Sequence, residues 1–174
     1  MYKNKGFTLL ELVVVIVILG VLAVTAAPRF LNLQSDARNA SLKGLKGAIE
    51  SAINLSYGKM LVANAEGNPI TKGASAAAII PGCGDCTFWY GYSPADVKTL
   101  SVLVDGIDVD GSGDFVLTDV QSNNNTSNAY YVEITFPNNM LNGNLVNDSC
   151  YLRYESRMGV PVDAKPVLDL VSCN

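Results

Sequence analysis

Oxygen-bearing side chains recur at short intervals in one segment near the middle of the sequence. The segment begins at Asp108 and ends at Asp119, and Gly113 stands where the sharp turn of an EF-hand loop requires a glycine. Calcium prefers several hard oxygen ligands at flexible distances. The spacing therefore predicts a calcium site. Its candidate ligands are Asp108, Asp110, Ser112, Asp114 (through its carbonyl) and Asp119.

This loop also departs from the EF-hand pattern. Its last position is Asp119 rather than a glutamate, and flanking helices are not evident. A surface hairpin turn rich in aspartate and glycine would have the same composition. The sequence leaves both interpretations open, and the calcium hypothesis predicts that calcium raises the melting temperature.

The four cysteines are the second candidate for chemistry, and they allow three pairings. On an exported chain they indicate two disulfides. A bridge from Cys150 to Cys173 would close a loop of about 24 residues and pin the C-terminal strand. Cys83 and Cys86 would then form a local bridge, with cross-pairing as the alternative. A thioredoxin-like site lacks its βαβ context, and a zinc knuckle lacks further ligands.

Other classes of function find little support in the composition. The chain of 174 residues has no histidine and a net charge of −4, and it shows no basic stripe after its first residues. Histidine-based acid–base chemistry is therefore excluded, and nucleic acid is a poor candidate partner. No nucleophile elbow, phosphate-binding loop or dinucleotide motif is present. The sequence predicts neither an enzyme nor a required cofactor.

The third candidate is a lone acid inside a long apolar run. The run from Phe7 to Ala27 contains one charged residue, Glu11, and follows Lys3 and Lys5. It matches the ~20 residues that a helix needs to cross a bilayer, and the preceding lysines favour a cytoplasmic N-terminus. The apolar residues contribute about −6 kcal/mol to insertion, against less than about +3 kcal/mol for an acid near one end. The net free energy therefore favours insertion, and the energetic cost of placing Glu11 in the membrane suggests that this acid has a function.

The N-terminal residues Lys5-Gly6-Phe7-Thr8-Leu9-Leu10-Glu11, with the apolar run to Gly20 and then Pro28, resemble the type IV pilin and pseudopilin family. The resemblance implies that a prepilin peptidase cuts between Gly6 and Phe7 and that Phe7 is then N-methylated. It also implies that Glu11 is needed for assembly, where its carboxylate would neutralise the terminal amine of a neighbouring subunit.

Residues 11–34 look most like the mannose-sensitive haemagglutinin-type major pilins. That resemblance implies a homopolymeric filament for surface attachment and biofilm formation. The implied partners are further copies of the chain, the prepilin peptidase, the inner-membrane pilus assembly machinery and, for the precursor, the membrane itself. The implied location is the inner membrane and then the extracellular pilus. The Cys150–Cys173 loop resembles the disulfide-bounded loop of the same family.

The elements that position these residues begin with a long helix. Residues 1–6 form a leader, residues 7–58 a helix ending near Gly58, and residues 59–174 a globular domain. Gly20 and Pro28 predict a kink or local melting, and the resemblance implies unwinding between them in a filament. An amphipathic stripe follows the helical spacing: Phe30, Leu33, Ala37, Ala40, Leu45, Ala48, Ala52 and Leu55, flanked by Leu42, Ile49 and Ile53.

The globular part is predicted to be α+β, with an antiparallel sheet and the pilin fold. Residues 60–94 are interpreted as a long loop with a short helix at Ala74 to Ile80. The strand-like runs are residues 100–104, 115–118, 130–136, 150–154 and 167–171. Aromatic residues at Trp89, Tyr90 and Tyr92 could stack a sugar, but packing is the commoner role of such a cluster.

Two other functions remain as alternatives. A pseudopilin of a type II secretion system would share the N-terminal features and tolerate a calcium loop. A soluble, secreted, calcium-dependent binding protein would instead lose an ordinary signal peptide after Ala26, where Val24-Thr25-Ala26 is a passable cleavage site. Pro28 close behind that site and Glu11 within the run argue against the second alternative.

Overall fold

The computed structural model describes residues 7–122, 129–157 and 165–174. The chain divides into two compact units, Met1–Ala37 and Arg38–Asn174. We call the second unit the head. The helices are α1 (Leu9–Val62), α2 (Ala74–Ile79) and α3 (Val97–Leu103). The strands are β1 (Thr71–Lys72), β2 (Thr87–Phe88), β3 (Val116–Leu117), β4 (Gln121–Ser122), β5 (Ala129–Thr135), β6 (Met140–Leu141), β7 (Asn144–Leu145), β8 (Tyr151–Arg157) and β9 (Val167–Val171).

The main sheet of the head is antiparallel. Among the described residues its strands run in the order β3-β5-β8-β9, and β4 also pairs with β5. The register places Glu133 of β5 opposite Arg153 of β8, which in turn lies opposite Asp169 of β9. Together with α1, this sheet confirms the predicted α+β class.

The head end of α1 packs on one face of this sheet. Leu42, Leu45, Ile49 and Ile53 are buried at spacings of three or four residues, which brings them to one helix face. They share a core with alternate residues of β5 and β8: Val132, Ile134, Leu152 and Tyr154.

The predicted stripe on α1 was therefore partly wrong. Its members Leu33 and Leu55 are 60% and 65% exposed, whereas the flanking Leu42, Ile49 and Ile53 form the core. The two adjacent faces both carry apolar residues. The face with more large side chains was buried because it removes more apolar area from water.

The helix α1 also ends later than predicted, at Val62 rather than near Gly58. Glycine inside a helix costs about 1 kcal/mol, which a favourable burial can offset. Continuing the helix places Met60 fully inside a second core. This core lies under the following loop and comprises Met60, Ala65, Ala76, Ile80, Cys83, Cys86 and Phe88.

The predicted strand at residues 100–104 was wrong, because those residues belong mostly to α3. Asp96 caps this helix: its carboxylate accepts hydrogen bonds from the Thr99 backbone N–H at 2.8 Å and the Thr99 hydroxyl at 3.0 Å. Leu100, which lies within this helix, is fully buried. The predicted strands at residues 115–118, 130–136 and 150–154 are confirmed with shifted ends, the strand at residues 167–171 is confirmed with both ends unchanged, and the predicted helix near Ala74 is α2.

Candidate functional site

The first turn of α1 is closed by a reciprocal pair of side chains. The Thr8 backbone N–H and hydroxyl donate to one carboxylate oxygen of Glu11, at 2.8 and 2.9 Å. In return the Glu11 backbone N–H donates to the Thr8 hydroxyl at 3.2 Å. This is a capping box, which satisfies donors that the start of a helix otherwise leaves unpaired. The signal that sequence reasoning missed is Thr-x-x-Glu directly before an apolar run.

The capping box fixes where Glu11 presents its charge. Its carboxylate lies at the helix N-terminus, where the macrodipole favours negative charge. Phe7, the residue before the box, is 90% exposed. The acid singled out by the sequence is therefore held about one helical turn from the predicted new N-terminus, in a position set by Thr8.

An exposed apolar surface follows directly. Within the described ranges one helical segment, Leu9–Ala26, is long and apolar enough to cross a membrane, and none of it is buried. Leu9 is 80% exposed, and the large apolar side chains through Val24 are each at least 41% exposed. An apolar surface of this extent marks a membrane or protein contact. A signal sequence near the N-terminus shares this length and composition.

The other residues predicted to act in this region are placed as follows. Gly6 lies outside the described residues. The backbone is helical through Gly20 and Pro28. A Cβ added at Gly20 would meet nothing within 4 Å, so packing inside the chain does not require that glycine. Melting between Gly20 and Pro28 in a filament stays a prediction.

Both predicted disulfides are present. Cys150–Cys173 joins the start of β8 to the residues after β9, and Cys83–Cys86 forms a local bridge. Cys83 and Cys86 are at most 1% exposed inside the second core, which gives the local bridge a structural role rather than that of an accessible redox site.

Sequence reasoning missed a residue that reinforces the C-terminal bridge. The Cys173 backbone N–H donates to the Asn39 side-chain oxygen at 2.7 Å, and the Asn39 amide donates to the Cys173 carbonyl at 3.2 Å. Asn39 of α1 therefore binds both the backbone N–H and the backbone carbonyl of Cys173. No local sequence pattern signals this contact, because the partners are 134 residues apart.

The structure does not gather the predicted calcium ligands into an EF-hand loop. Asp110 accepts hydrogen bonds from the backbone and hydroxyl of Ser112, at 3.0 and 2.7 Å. Asp119 lies against the turn between β6 and β7, where a Cβ on Gly143 would come within 2.5 Å of its carboxylate. No group of three or more acidic, histidine or cysteine side chains that could hold a metal occurs among the residues described. An Asp–Gly surface turn accounts for residues 108–114.

The aromatic cluster is mainly packing. Tyr92 stacks on Tyr57 of α1, with ring centroids 4.4 Å apart and planes within 7°. Tyr90 and Gly91 form a tight turn with positive φ angles of 46° and 80°. Gly91 is required there, because a Cβ would come within 2.9 Å of the Tyr57 ring. Trp89 instead lines a separate groove of about 720 Å³.

Comparison with known proteins points to the N-terminal region. The prokaryotic N-terminal methylation motif matches residues 1–27. The chain is 48% identical over 50 residues to the type IV narrow pilus major component PilA5 of Thermus thermophilus, covering 29% of this chain and 43% of that protein. It is 42% identical over 41 residues to the type IV major pilin protein PilA of Myxococcus xanthus, covering 24% of this chain and 19% of that protein. The chain thus matches less than half the length of either relative. No solved structure matches it.

Proposed function

We propose that this chain is the precursor of a type IV pilin, a structural subunit that assembles through its N-terminal helix into a surface filament. One observation carries the proposal: an exposed apolar helix holds a single acid, Glu11, in its first turn, within the residues that match the N-terminal methylation motif. Both relatives are named as pilus components, which agrees with it. We assign no catalytic step and no cofactor to the chain.

The proposed processing creates the charge that Glu11 serves. A prepilin peptidase cuts between Gly6 and Phe7 and leaves an amine on Phe7, which is then N-methylated. The amine and the carboxylate of one chain are close in sequence, but neighbouring subunits are displaced along a filament axis. The Glu11 carboxylate of one subunit then meets the amine of another.

Such a pair selects one arrangement of subunits. In an apolar filament core, an unpaired charge is costly, so subunits packed out of register are disfavoured. The pair therefore sets register more than it adds net stability. Thr8 contributes by holding one Glu11 oxygen, which leaves the other for the incoming amine.

The same proposal fixes location and partners. The precursor lies in the inner membrane with the leader lysines in the cytoplasm, and the assembly machinery extracts it into an extracellular filament of identical chains. The finer assignment, a mannose-sensitive haemagglutinin-type major pilin that acts in attachment, rests on residues 11–34 and belongs to this proposal.

The test replaces Glu11 and compares filament yield. In cells that express Glu11→Ala, we expect processed subunit in the membrane and at least a tenfold drop in sheared filaments. The matched control is Glu50→Ala, which removes an exposed acid elsewhere on α1 that pairs with Lys46 at 3.9 Å. Normal filament yield from Glu11→Ala would refute the assembly role, and an equal loss in Glu50→Ala would show that the effect is not specific.

A further inference from the structure

The main sheet of the head has an open edge at β9. Among the described residues, β9 pairs with β8 on one side and with no strand on the other. It is a regular strand of five residues, Val167–Val171. The unpaired backbone groups of an edge strand can hydrogen-bond an added strand, and proteins use such edges to bind extended peptides.

The strand register shows which backbone groups of β9 lie at this edge. Opposite residues in an antiparallel pair turn their backbone groups either toward each other or away from each other. The Glu133 carbonyl accepts a hydrogen bond at 2.9 Å from the residue that follows β3, so Glu133 faces away from β8. Arg153, opposite Glu133, therefore faces β9, and Asp169, opposite Arg153, faces β8. The backbone N–H and carbonyl groups of Leu168 and Leu170 then point to the open edge.

The side chains of β9 alternate between the two faces of the sheet. Leu168 is buried in the core that α1 shares, and Leu170 packs against that core. Val167, Asp169 and Val171 alternate with these leucines and lie on the opposite face. Val167 is 49% exposed, and Asp169 is also exposed. An added strand would therefore place alternate side chains beside two valines and one acid.

A row of alternating charges crosses this face of the sheet. Glu133, Arg153 and Asp169 are direct neighbours in the register of β5, β8 and β9. Arg153 donates to the Glu133 carboxylate at 2.7 Å, and Asp169 makes no ion pair among the residues that the structure describes. Opposite charges on neighbouring strands are favourable, and like charges are unfavourable. The next position in the row, on an added strand, therefore selects a basic side chain.

We propose that the β9 edge binds an extended segment of another protein, in which a basic residue lies between two apolar residues of the same face. The basic side chain pairs with Asp169, and the apolar side chains cover Val167 and Val171. A second copy of β9 does not fit, because the strand contains no base and in-register pairing would bring two Asp169 carboxylates together. Charged side chains on edge strands are a means by which natural sheets avoid such self-association. The edge belongs to the single chain, so the inference goes beyond the proposed function and does not rest on filament formation.

The test uses two synthetic seven-residue peptides and the full chain in a non-ionic detergent. In both peptides a central charged residue and two valines occupy alternate positions, with threonine at the others. The central residue is lysine in one peptide and glutamate in the other. Fluorescence anisotropy measures binding, and NMR hydrogen exchange follows the backbone amides of Leu168 and Leu170. We expect the lysine peptide to bind roughly fivefold more tightly than the glutamate peptide and to slow exchange at both amides.

Substitutions at Asp169 test whether this acid sets the preference. Asp169→Lys should reverse the order of the two peptides. Because that variant places a second base opposite Arg153, Asp169→Asn provides an independent measurement and should bring the two affinities together. The matched control is Asp85→Lys, which makes the same change of charge at an exposed acid between Cys83 and Cys86 and should leave the wild-type order unchanged.

Several results would overturn the inference. They are the absence of saturable binding by the lysine peptide, equal affinities of the two peptides for wild type, an unchanged preference in Asp169→Asn, and unchanged exchange at Leu168 and Leu170 in the bound state. Self-association of the chain that protects the same amides without peptide would assign the edge to a second copy and would also overturn it. A reversed order in Asp85→Lys would show that net charge, rather than the β9 edge, selects the peptide.

Discussion

Replacing Cys150 and Cys173 together by alanine should destabilise the head by about 3.5 kcal/mol. The bridge joins residues 23 apart in sequence, and closing a loop of this length removes that much chain entropy from the unfolded state at 25 °C. The variant should still fold, because Asn39 binds the backbone of residue 173 rather than its side chain. For a chain of this size the melting temperature should fall by roughly 7–14 °C.

Thermal unfolding of the full chain in detergent, followed by near-ultraviolet circular dichroism, measures this loss. The matched control is Cys83→Ala with Cys86→Ala, since both pairs are buried but the control bridge spans only 3 positions. The same entropy relation gives about 2 kcal/mol for the control. A larger loss in the control, or a melting temperature within about 2 °C of wild type for Cys150→Ala with Cys173→Ala, would refute the reasoning.

Three further predictions concern the head. Burial raises the pKa of the Tyr154 phenol, which donates to the Ser93 carbonyl at 2.8 Å. Above pH ~10 the unfolded state therefore loses the phenol proton before the folded state does. The free energy of unfolding should then fall by up to ~1.4 kcal/mol per pH unit. Chemical denaturation at pH values from 8 to 11 measures this fall in the free energy of unfolding. In Tyr154→Phe the free energy of unfolding should fall less steeply with pH than in wild type, and an equal dependence on pH would contradict the prediction. Asp96→Ala removes the α3 cap and should cost about 1 kcal/mol in the same assay, whereas Asp96→Asn should retain most of it; equal losses would argue against capping. Melting curves in excess calcium and in EDTA should coincide, because the Asp–Gly loop does not gather its acids, and a calcium-dependent rise would restore the metal hypothesis.

Periodic and composition-driven features could be predicted from the sequence. The strand at residues 167–171 was predicted with both ends correct, since four of the five residues in this short run are apolar and two of them are valines. The long helix and the α+β class were predictable for similar reasons. The even cysteine count indicated two disulfides, but the sequence left their pairing open until the structure joined Cys83 to Cys86 and Cys150 to Cys173.

The errors come from contacts that local pattern does not encode. The run at residues 100–104 is apolar enough for either a strand or a helix, and the Asp96 cap selected the helix. The calcium site at the aspartate loop stays a prediction; its EF-hand spacing does not show that Asp119 packs against Gly143. The charge row across the sheet was missed because Arg153 meets Glu133 only through strand register, 20 residues away.

The most direct test of the pilin assignment is mass spectrometry of the N-terminal peptide from filaments sheared off producing cells. The proposal predicts an abundant peptide that begins at N-methylated Phe7. The same terminus found only in the cell-bound fraction would favour a pseudopilin or a rare minor subunit. A terminus at Met1 or at Ala27 would contradict the account.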